Sequence, residues 1–213
     1  MKGLIVAGGE IKNLSILKDI AGKSDFIIAA DSGYFYLSKI GVEPLYLVGD
    51  MDSLTKDLQN RAISAGVNLI KHPVEKDKTD SELAIDVLHQ LGATEITVLG
   101  GTGCRLDHTL SNVNSLRYMD KLGIKGSVID ELNEVRYLKS GETVDLPNKG
   151  LNVSILPISS EGAVVSLNGF HYELNRRRLD FGSSLGISNL IENSIGKISC
   201  HSGEIFIIEA KDK

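Results

Sequence analysis

The sequence predicts an α/β domain with a mostly parallel sheet, followed by a smaller all-β domain. Two observations carry this prediction. Through residue 130, short continuous apolar runs alternate with amphipathic stretches, as in parallel strands that helices cover on both faces. From residue 131 onward, short β-rich runs separated by turn signals replace this alternation, as in a sandwich or jelly-roll-like domain. We therefore predict a three-layer α/β domain over residues 1–130 and a β-sandwich domain over residues 131–213.

Six apolar runs of the first domain are predicted to be buried strands. Each run is continuous rather than alternating, which indicates burial on both faces of the sheet. The runs are Gly3–Ala7, Phe26–Ala30, Tyr46–Val48, Asn68–Ile70, Ile96–Leu99 and Ser127–Ile129.

Two amphipathic stretches between these runs predict helices. In Thr79–Leu91, apolar side chains recur every fourth residue and Gly92 supplies a stop signal. Asp107–Leu122 likewise places its leucine and valine residues on one face. Helices that alternate with apolar strands in this way are typical of a parallel sheet.

In the second domain the strands are predicted from short runs bounded by Ser-Gly, Asn-Gly, Glu-Gly and Pro-Asn turn signals. Three adjacent arginines, Arg176–Arg178, interrupt the series and predict a solvated loop or an edge strand. The predicted strands are Val135–Leu138, Thr143–Leu146, Leu151–Pro157, Ala163–Leu167, His171–Leu174, Leu179–Phe181, Lys197–Cys200 and Ile205–Glu209.

Composition narrows the classes of function. The formal net charge of −5 argues against nucleic acid as a partner, because the average surface repels a polyanion. The two cysteines, Cys104 and Cys200, are too few for a disulfide framework and lack the spacing of a zinc site. No apolar segment has the length of a membrane span, and the N-terminal apolar run is too short for a signal peptide. We therefore expect a cytoplasmic protein that does not bind membranes.

Glycines and acidic residues follow four of the predicted parallel strands. Because ligands of such sheets bind at the carboxyl ends of the strands, these positions converge on one expected site. The four segments are Ala7–Gly9, Asp31–Gly33, Gly49–Ser53 and Gly100–Gly103.

Among these residues, Asp50 and Asp52 are the clearest candidates for a pair of metal ligands. Two residues apart in an extended segment, their carboxylates project to one side, where they can share a hard cation such as Mg²⁺. The alternative is that one aspartate caps a following helix and the other is solvated. The position at a strand end favours the metal.

The segment Glu75–Glu82 opens the predicted helix that begins at Thr79. Thr79 and Glu82 have the spacing of a capping box, which accounts for the segment without any ligand. A helix N-terminus also suits phosphate, so Asp80 is an equally open candidate for a third carboxylate beside Asp50 and Asp52.

The segment Gly100–His108 has neither the Walker A nor the dinucleotide-binding spacing. Its glycines nevertheless allow backbone amides to approach an anion, and Arg105 is placed for a bidentate phosphate contact. His108 is a candidate general base, although a histidine in the first turn of a helix is more often a cap. In the second domain, Gly182–Asn189 predicts a hairpin turn.

Together these segments resemble the thiamine pyrophosphokinase family, in the right order and over almost the whole chain. The motifs are Asp31–Gly33, Gly49–Ser53, Asp77–Asp80, Gly100–His108 and Gly182–Asn189. The resemblance implies a nucleotide-binding catalytic α/β domain, a β-sandwich that binds thiamine and forms a homodimer, and transfer of the pyrophosphoryl group of ATP to the thiamine hydroxyl, giving thiamine diphosphate and AMP.

The resemblance also implies roles for particular residues. Asp50, Asp52 and Asp80 are expected to bind Mg²⁺, and Ser188 and Asn189 to approach thiamine across the dimer. The residues expected to line the nucleotide and reaction site are Asp31, Lys76, Asp77, Thr79, Arg105 and Asp107. Some family members carry tryptophan in the thiamine pocket, whereas this chain has none.

The mechanism implied is in-line attack of the thiamine hydroxyl on the β-phosphorus of ATP, with Asp77 or Asp107 as the late proton acceptor. Three other functions stay open on the sequence alone. They are pyrophosphoryl transfer to a pterin or other heterocyclic alcohol, a metal-dependent phosphoesterase, and a nucleotide-sensing module without turnover.

Overall fold

The structure, a computed structural model, describes residues 1–70 and 78–212. The chain divides into two compact units, Met1–Glu131 and Leu132–Lys213. The first unit combines a parallel sheet with helices, and the second contains antiparallel strands. The mixed α/β class predicted from the sequence is therefore confirmed.

The first unit contains six strands that all pair in parallel. They are β1 (Lys2–Val6), β2 (Phe26–Ala30), β3 (Tyr46–Val48), β4 (Asn68–Ile70), β5 (Glu95–Leu99) and β6 (Lys125–Ile129). Their order in the sheet is β4-β3-β2-β1-β5-β6. Each predicted run lies on one of these strands, with ends that differ by at most two residues.

Five helices connect the strands in the described part of the first unit. They are α1 (Leu14–Ala21), α2 (Gly33–Ile40), α3 (Lys56–Ser64), α4 (Asp80–Gln90) and α5 (Leu106–Lys121). Helices α4 and α5 confirm the two predicted helices to within one residue at each end. Helices α1, α2 and α3 have only eight or nine residues each, which is too short for a repeating apolar pattern to stand out.

The position of β1 determines where a ligand can bind. Leu4, Ile5 and Val6 are fully buried, and β1 pairs with β2 on one side and with β5 on the other. The chain first builds the sheet outward through β2, β3 and β4 and then returns to the other side of β1. Connections leave β1 and β5 in opposite directions at such a switch point, which opens a crevice at the carboxyl ends of the strands.

The second unit contains two antiparallel sheets of four strands each. The strands are β7 (Asn133–Lys139), β8 (Thr143–Pro147), β9 (Asn152–Pro157), β10 (Ala163–Asn168), β11 (Leu174–Leu179), β12 (Asn189–Leu190), β13 (Ile195–Ser202) and β14 (Glu204–Ala210). Within this unit the strand orders are β12-β9-β14-β7 and β11-β10-β13-β8. Buried residues of both sheets, such as Ile155, Val165 and Ile198, belong to one hydrophobic core.

The arginine run lies on an edge strand, one of the two alternatives that the sequence left open, but the bounds of the neighbouring predicted strands are wrong. The sequence predicted separate strands at His171–Leu174 and Leu179–Phe181, whereas the single strand β11 runs through the arginines between them. It pairs only with β10 and is an edge strand. Charged side chains are common on edge strands because they oppose pairing with another chain. The apolar pattern therefore failed to reveal β11.

The second unit contains a buried carboxylate whose ion pairs can be tested by substitution. Glu209 on β14 is 2% exposed. Its Oε2 lies 3.2 Å from the Arg136 guanidinium without hydrogen-bond geometry, and its Oε1 lies 3.2 Å from the Lys149 ammonium. Glu134 pairs with the same two cations, so removing Glu209 leaves them one carboxylate instead of two and removes the buried part of the network.

We expect Glu209→Ala to lower the free energy of unfolding by about 2 kcal/mol, measured by urea denaturation. Asp145→Ala is the matched control, because Asp145 faces Lys197 at 4.0 Å with both side chains more than half exposed. Its expected effect is below about 1 kcal/mol. If Glu209→Ala and Asp145→Ala lowered the free energy of unfolding equally, the conclusion that the buried ion pairs of Glu209 are stabilising would be wrong.

Candidate active site

A cleft of about 670 Å³ opens in the first unit at the carboxyl ends of β1, β2 and β5. Backbone and side chains at the N-terminal ends of α4 and α5 complete its wall. Among the residues that line it are Ala7–Glu10, Asp31, Ser32, Tyr36, Thr79–Ser81, Gly100–Arg105 and His108. The cleft therefore lies at the switch point that the sheet order creates, and glycine is its most frequent lining residue.

Two glycine-containing loops form one side of the cleft. We call Ala7–Asn13, after β1, the first glycine loop and Gly100–Arg105, after β5, the second glycine loop. The N–H of Gly9 donates to the carbonyl of Gly100 at 2.8 Å. A Cβ on Gly9 would lie 2.2 Å from the carbonyl oxygen of Thr102 and 2.4 Å from that of Gly100. Only glycine allows this approach.

The opposite side of the cleft is acidic. Asp31 directly follows β2, and the hydroxyl of Ser53 donates to its carboxylate. The carboxyl group of Asp80, at the start of α4, lies 3.4 Å from the position that a Cβ on Gly49 would occupy. Asp31 and Met51 both have left-handed backbone conformations, with φ of 53° and 67°. Strain of this kind concentrates at functional sites.

The three predicted metal ligands occupy different places. Asp80 lines the cleft, whereas Asp50 and Asp52 lie on the loop after β3 and are not lining residues. Asp50 Oδ1 accepts a hydrogen bond of 3.0 Å from the Asp52 N–H. Within residues 1–70 and 78–212, no three His, Cys, Asp or Glu side chains are grouped closely enough to hold a metal ion.

The donor chemistry of this loop nevertheless fits Mg²⁺. The ion prefers carboxylate oxygens, retains several waters and usually takes only one or two protein carboxylates, with substrate phosphates as its other ligands. A preformed three-carboxylate cage is therefore not required. Asp80 lies beside Gly49, the residue that immediately precedes Asp50.

Arg105 and Asp107 form a bidentate ion pair at the entry to α5. Arg105 Nε and Nη2 donate to the two Asp107 carboxylate oxygens at 3.2 and 2.6 Å. The hydrogen bonds from Arg105 lower the pKa of Asp107 to about 2 and, in return, raise the pKa of Arg105. Among the residues that the structure describes, Asp107 accepts from two of the five guanidinium N–H groups of Arg105, and a phosphate contact would use the others.

Thr79 forms the predicted capping box. Its hydroxyl accepts from the Glu82 N–H at 3.2 Å, and its own N–H donates to the Glu82 carboxylate at 3.3 Å. Both Thr79 and the following Asp80 line the cleft. Two other predicted site residues, Lys76 and Asp77, lie outside the described residues.

The charge of the segment Glu75–Glu82 suggested that its lysines contact phosphate oxygens. Lys78 instead contacts side chains of α4 and α5. Its ammonium lies 2.5 Å from the Asp86 carboxylate and 3.3 Å from the Tyr118 hydroxyl. Hydrogen bonding to Asp86 and Tyr118 raises the pKa of Lys78 to about 12. The side chain therefore connects α4 and α5 immediately before the residues that line the cleft.

Ser188 and Asn189 lie in the second unit. Asn189 is 4% exposed. Its side chain accepts from the Tyr172 N–H at 3.0 Å and donates to the Tyr172 carbonyl at 2.8 Å. Ser188 has a φ of 56°, and its N–H donates to the Ser154 hydroxyl at 3.0 Å. The Asn189 amide thus holds the backbone of Tyr172. Taken as a whole residue, Tyr172 is 65% exposed.

Sequence reasoning missed several residues of these sites. Ser53, Thr102 and Tyr36 were not singled out, although each contacts a site residue or lines the cleft. Tyr172 was missed as well, although the lack of tryptophan in the chain was a signal that another aromatic ring should be sought.

Comparison with known proteins identifies the family. A family model described as the catalytic domain of thiamin pyrophosphokinase matches residues 17–126, which include most of the strands and helices around the cleft. A second, described as the vitamin B1 binding domain of thiamin pyrophosphokinase, matches residues 142–205. The chain belongs to the thiamine pyrophosphokinase family. The resemblance drawn from the sequence motifs is therefore confirmed.

Relatives in this family match nearly the full chain. Thiamine pyrophosphokinase from Bacillus subtilis is 34% identical over 212 residues, covering 98% of both chains. Thiamin pyrophosphokinase 1 from Caenorhabditis elegans is 30% identical, covering 79% of this chain and 71% of the relative. The crystal structure of the Bacillus subtilis enzyme superposes with a TM-score of 0.89, at 30% identity over all of both chains.

Family membership establishes the reaction class. The chain is a thiamine diphosphokinase, a transferase that uses ATP as co-substrate and thiamine as acceptor, as the resemblance implied. In the described part of the chain, every helix is too short or too polar to cross a membrane.

The two cysteines provide a probe of the cleft. Cys104 lines the cleft and is exposed, whereas Cys200 is buried, and burial raises the pKa of the Cys200 thiol to about 11. Only the thiolate reacts, so at pH 8 the buried thiol is almost entirely in its unreactive protonated form.

We expect a disulfide reagent to modify one thiol rapidly at pH 8 and the second only after unfolding. Bound ATP with Mg²⁺ should slow the rapid modification at least about fivefold, because it covers Cys104. Cys104→Ser is the control and should abolish the rapid phase. A rapid phase that persists in Cys104→Ser would show that the assignment of the accessible thiol is wrong.

Proposed function

We propose that the glycine-lined cleft of the first unit binds the triphosphate of ATP, and that its acidic side holds Mg²⁺ for transfer of the pyrophosphoryl group to thiamine. One observation carries this proposal. Two glycine loops, joined by the hydrogen bond from Gly9 to Gly100, share a single cleft with the carboxylates of Asp31 and Asp80. Backbone amides suit the anion, and carboxylates suit its counterion.

The phosphate groups are bound, in this proposal, mainly by the backbone. Glycines leave amide groups of the two loops open to phosphate oxygens, and the N-termini of α4 and α5 add positive potential. Arg105 supplies its remaining guanidinium donors, and Thr79 contributes through its place at the start of α4. Asp107 acts by holding Arg105 in position.

Mg²⁺ would be held by Asp80 together with Asp50 and Asp52, with phosphate oxygens and water as its other ligands. When bound, the ion neutralises charge that builds on the phosphates during transfer. The enzyme's own contribution is to place Asp80 in the cleft and Asp50 and Asp52 on the loop after β3, next to Gly49. Asp31, held by Ser53, adds a further carboxylate on the same side.

The transfer itself requires alignment more than strong acid–base chemistry. The thiamine hydroxyl oxygen attacks the β-phosphorus, and the bond from that phosphorus to the oxygen bridging the α-phosphate breaks. AMP leaves with the bridging oxygen, and the hydroxyl proton passes to a carboxylate. Because its pKa is about 2, Asp107 is a weak proton acceptor, which leaves Asp77 as the proposed acceptor.

The acceptor site is proposed to include Tyr172, Ser188 and Asn189 of a second subunit in a homodimer. The exposed Tyr172 ring, with its backbone held by the buried Asn189 amide, offers a flat aromatic surface. A surface of this kind can stack on a heterocyclic ring. In this chain, which lacks tryptophan, tyrosine would take the stacking role.

Further features are proposed on the strength of the family resemblance. They are the three-layer order of the first unit, a jelly-roll-like form of the second, the homodimer itself and a cytoplasmic location. A pterin acceptor and a phosphoesterase activity are not favoured, because the matched models name thiamin or vitamin B1 in both units. Assays with thiamine, a pterin alcohol and simple phosphate esters, reading AMP and free phosphate, test this choice.

We expect Asp80→Asn and Asp52→Asn to lower kcat at least about 100-fold, because each removes a negative charge that balances Mg²⁺. Steady-state kinetics over a range of Mg²⁺ concentrations should show a higher requirement for the ion. Asp57→Asn is the control, since Asp57 is an exposed aspartate in the first turn of α3. Near-normal kcat in folded Asp52→Asn and Asp80→Asn would refute the proposed metal role.

Tyr172→Ala should raise KM for thiamine by about 5-fold and leave KM for ATP unchanged, since a stacking contact is worth about 1 kcal/mol. Tyr172→Phe keeps the ring and should retain the KM of the native enzyme. A matching rise in both variants would assign the effect to the hydroxyl group instead of to stacking.

A further inference from the structure

We propose that Asp130 and Glu131, consecutive carboxylates directly after β6, are positioning residues that fix the two glycine loops for ATP. The inference rests on the proposed function, in which those loops bind the triphosphate. Neither residue lines the cleft. Each acts through another residue, from the far side of the loops.

Glu131 binds the first glycine loop. Its Oε1 accepts two backbone hydrogen bonds, from the N–H of Lys12 at 2.6 Å and from the N–H of Asn13 at 3.0 Å. These donors stand at the end of the loop and immediately before α1, where a negative charge is favourable. One carboxylate oxygen therefore fixes the point at which the loop passes into the helix.

Asp130 binds the second glycine loop. Its Oδ2 accepts a hydrogen bond of 2.9 Å from the hydroxyl of Thr102. The carbonyl of Thr102 is one of the two oxygens that a Cβ on Gly9 would strike, at 2.2 Å. Thr102 thus connects Asp130 to the place where the two loops touch.

Both carboxylates extend from a rigid base. Strand β6 pairs in register with β5 up to Leu99 and Ile129, and Val128 is 1% exposed. The loops, in contrast, contain glycines that supply no side chains to pack and have large conformational freedom. Two anchors on the adjacent strand end restrict that freedom before ATP arrives, and such preorganisation favours binding.

The role differs from simple helix capping. Helix α1 already has its own cap, because the Asn13 side chain accepts from the Ser15 N–H at 3.0 Å. The bonds to Glu131 lie on the loop side of that cap. Loss of Glu131 should therefore change how the loop meets the nucleotide, and not only the stability of α1.

The first test compares two substitutions at one position. Glu131→Ala removes the acceptor and should raise KM for ATP at least about 10-fold, with a smaller change in KM for thiamine. Glu131→Gln keeps an acceptor oxygen and should restore most of the affinity. Glu209→Ala is the control: it is expected to lower stability through the second unit and should leave KM for ATP unchanged.

The second test is a double-mutant cycle on Thr102 and Asp130. Thr102→Val and Asp130→Ala should each weaken binding of a non-hydrolysable ATP analogue with Mg²⁺, measured by calorimetry. The double variant should bind no more weakly than the worse single variant, because each single change already breaks the same hydrogen bond, the one between Thr102 and Asp130. Thr102→Ser retains the hydroxyl and should bind normally.

The outcomes separate this proposal from the one on which it rests. If ATP with Mg²⁺ fails to protect Cys104 in the native enzyme, the assignment of the cleft to ATP is overturned. If ATP protects Cys104 but Glu131→Ala changes only the melting temperature, the positioning role of Glu131 is wrong. If Glu131→Ala does not fold, the cycle decides: additive losses at Thr102 and Asp130 overturn the proposal.

Discussion

The close approach of two backbone segments, at the ends of β1 and β5, is the constraint on which the cleft depends. The bond from the Gly9 N–H to the Gly100 carbonyl is formed only because no side chain separates the two loops. The same glycines line the cleft, so the packing that joins the loops also shapes the surface to which we assign the triphosphate. The contact between the two loops and the properties of the surface that they form both follow from the absence of a Cβ on these glycines.

The sheet order explains why acidic residues face that surface. Strands β2 and β3 lie on one side of β1, and β5 and β6 lie on the other. Residues that follow β2 and β3 therefore approach the cleft from one direction, and the glycines that follow β5 from the other. Negative side chains and glycine backbone are thus brought to one cleft from different strand ends.

Sequence patterns predicted the class of fold and most of the strands, because continuous apolar runs and a capping box are local signals. The apolar pattern did not reveal the full length of β11, since its central residues are exposed arginines, although the arginine run itself indicated a loop or an edge strand. The cleft lies where the strand-end glycines and Asp31 were expected to converge. The bonds from Ser53 to Asp31 and from Thr102 to Asp130 were out of reach, because they join residues more than twenty positions apart in the chain.

The left-handed backbone of Asp31 restricts what evolution can place there. With φ at 53°, the position excludes branched side chains and favours glycine, asparagine or aspartate. A negative charge at the same position removes the first two choices. Backbone geometry and charge together thus favour aspartate at position 31. We therefore expect fewer substitutions at this position than its exposure to solvent alone would allow.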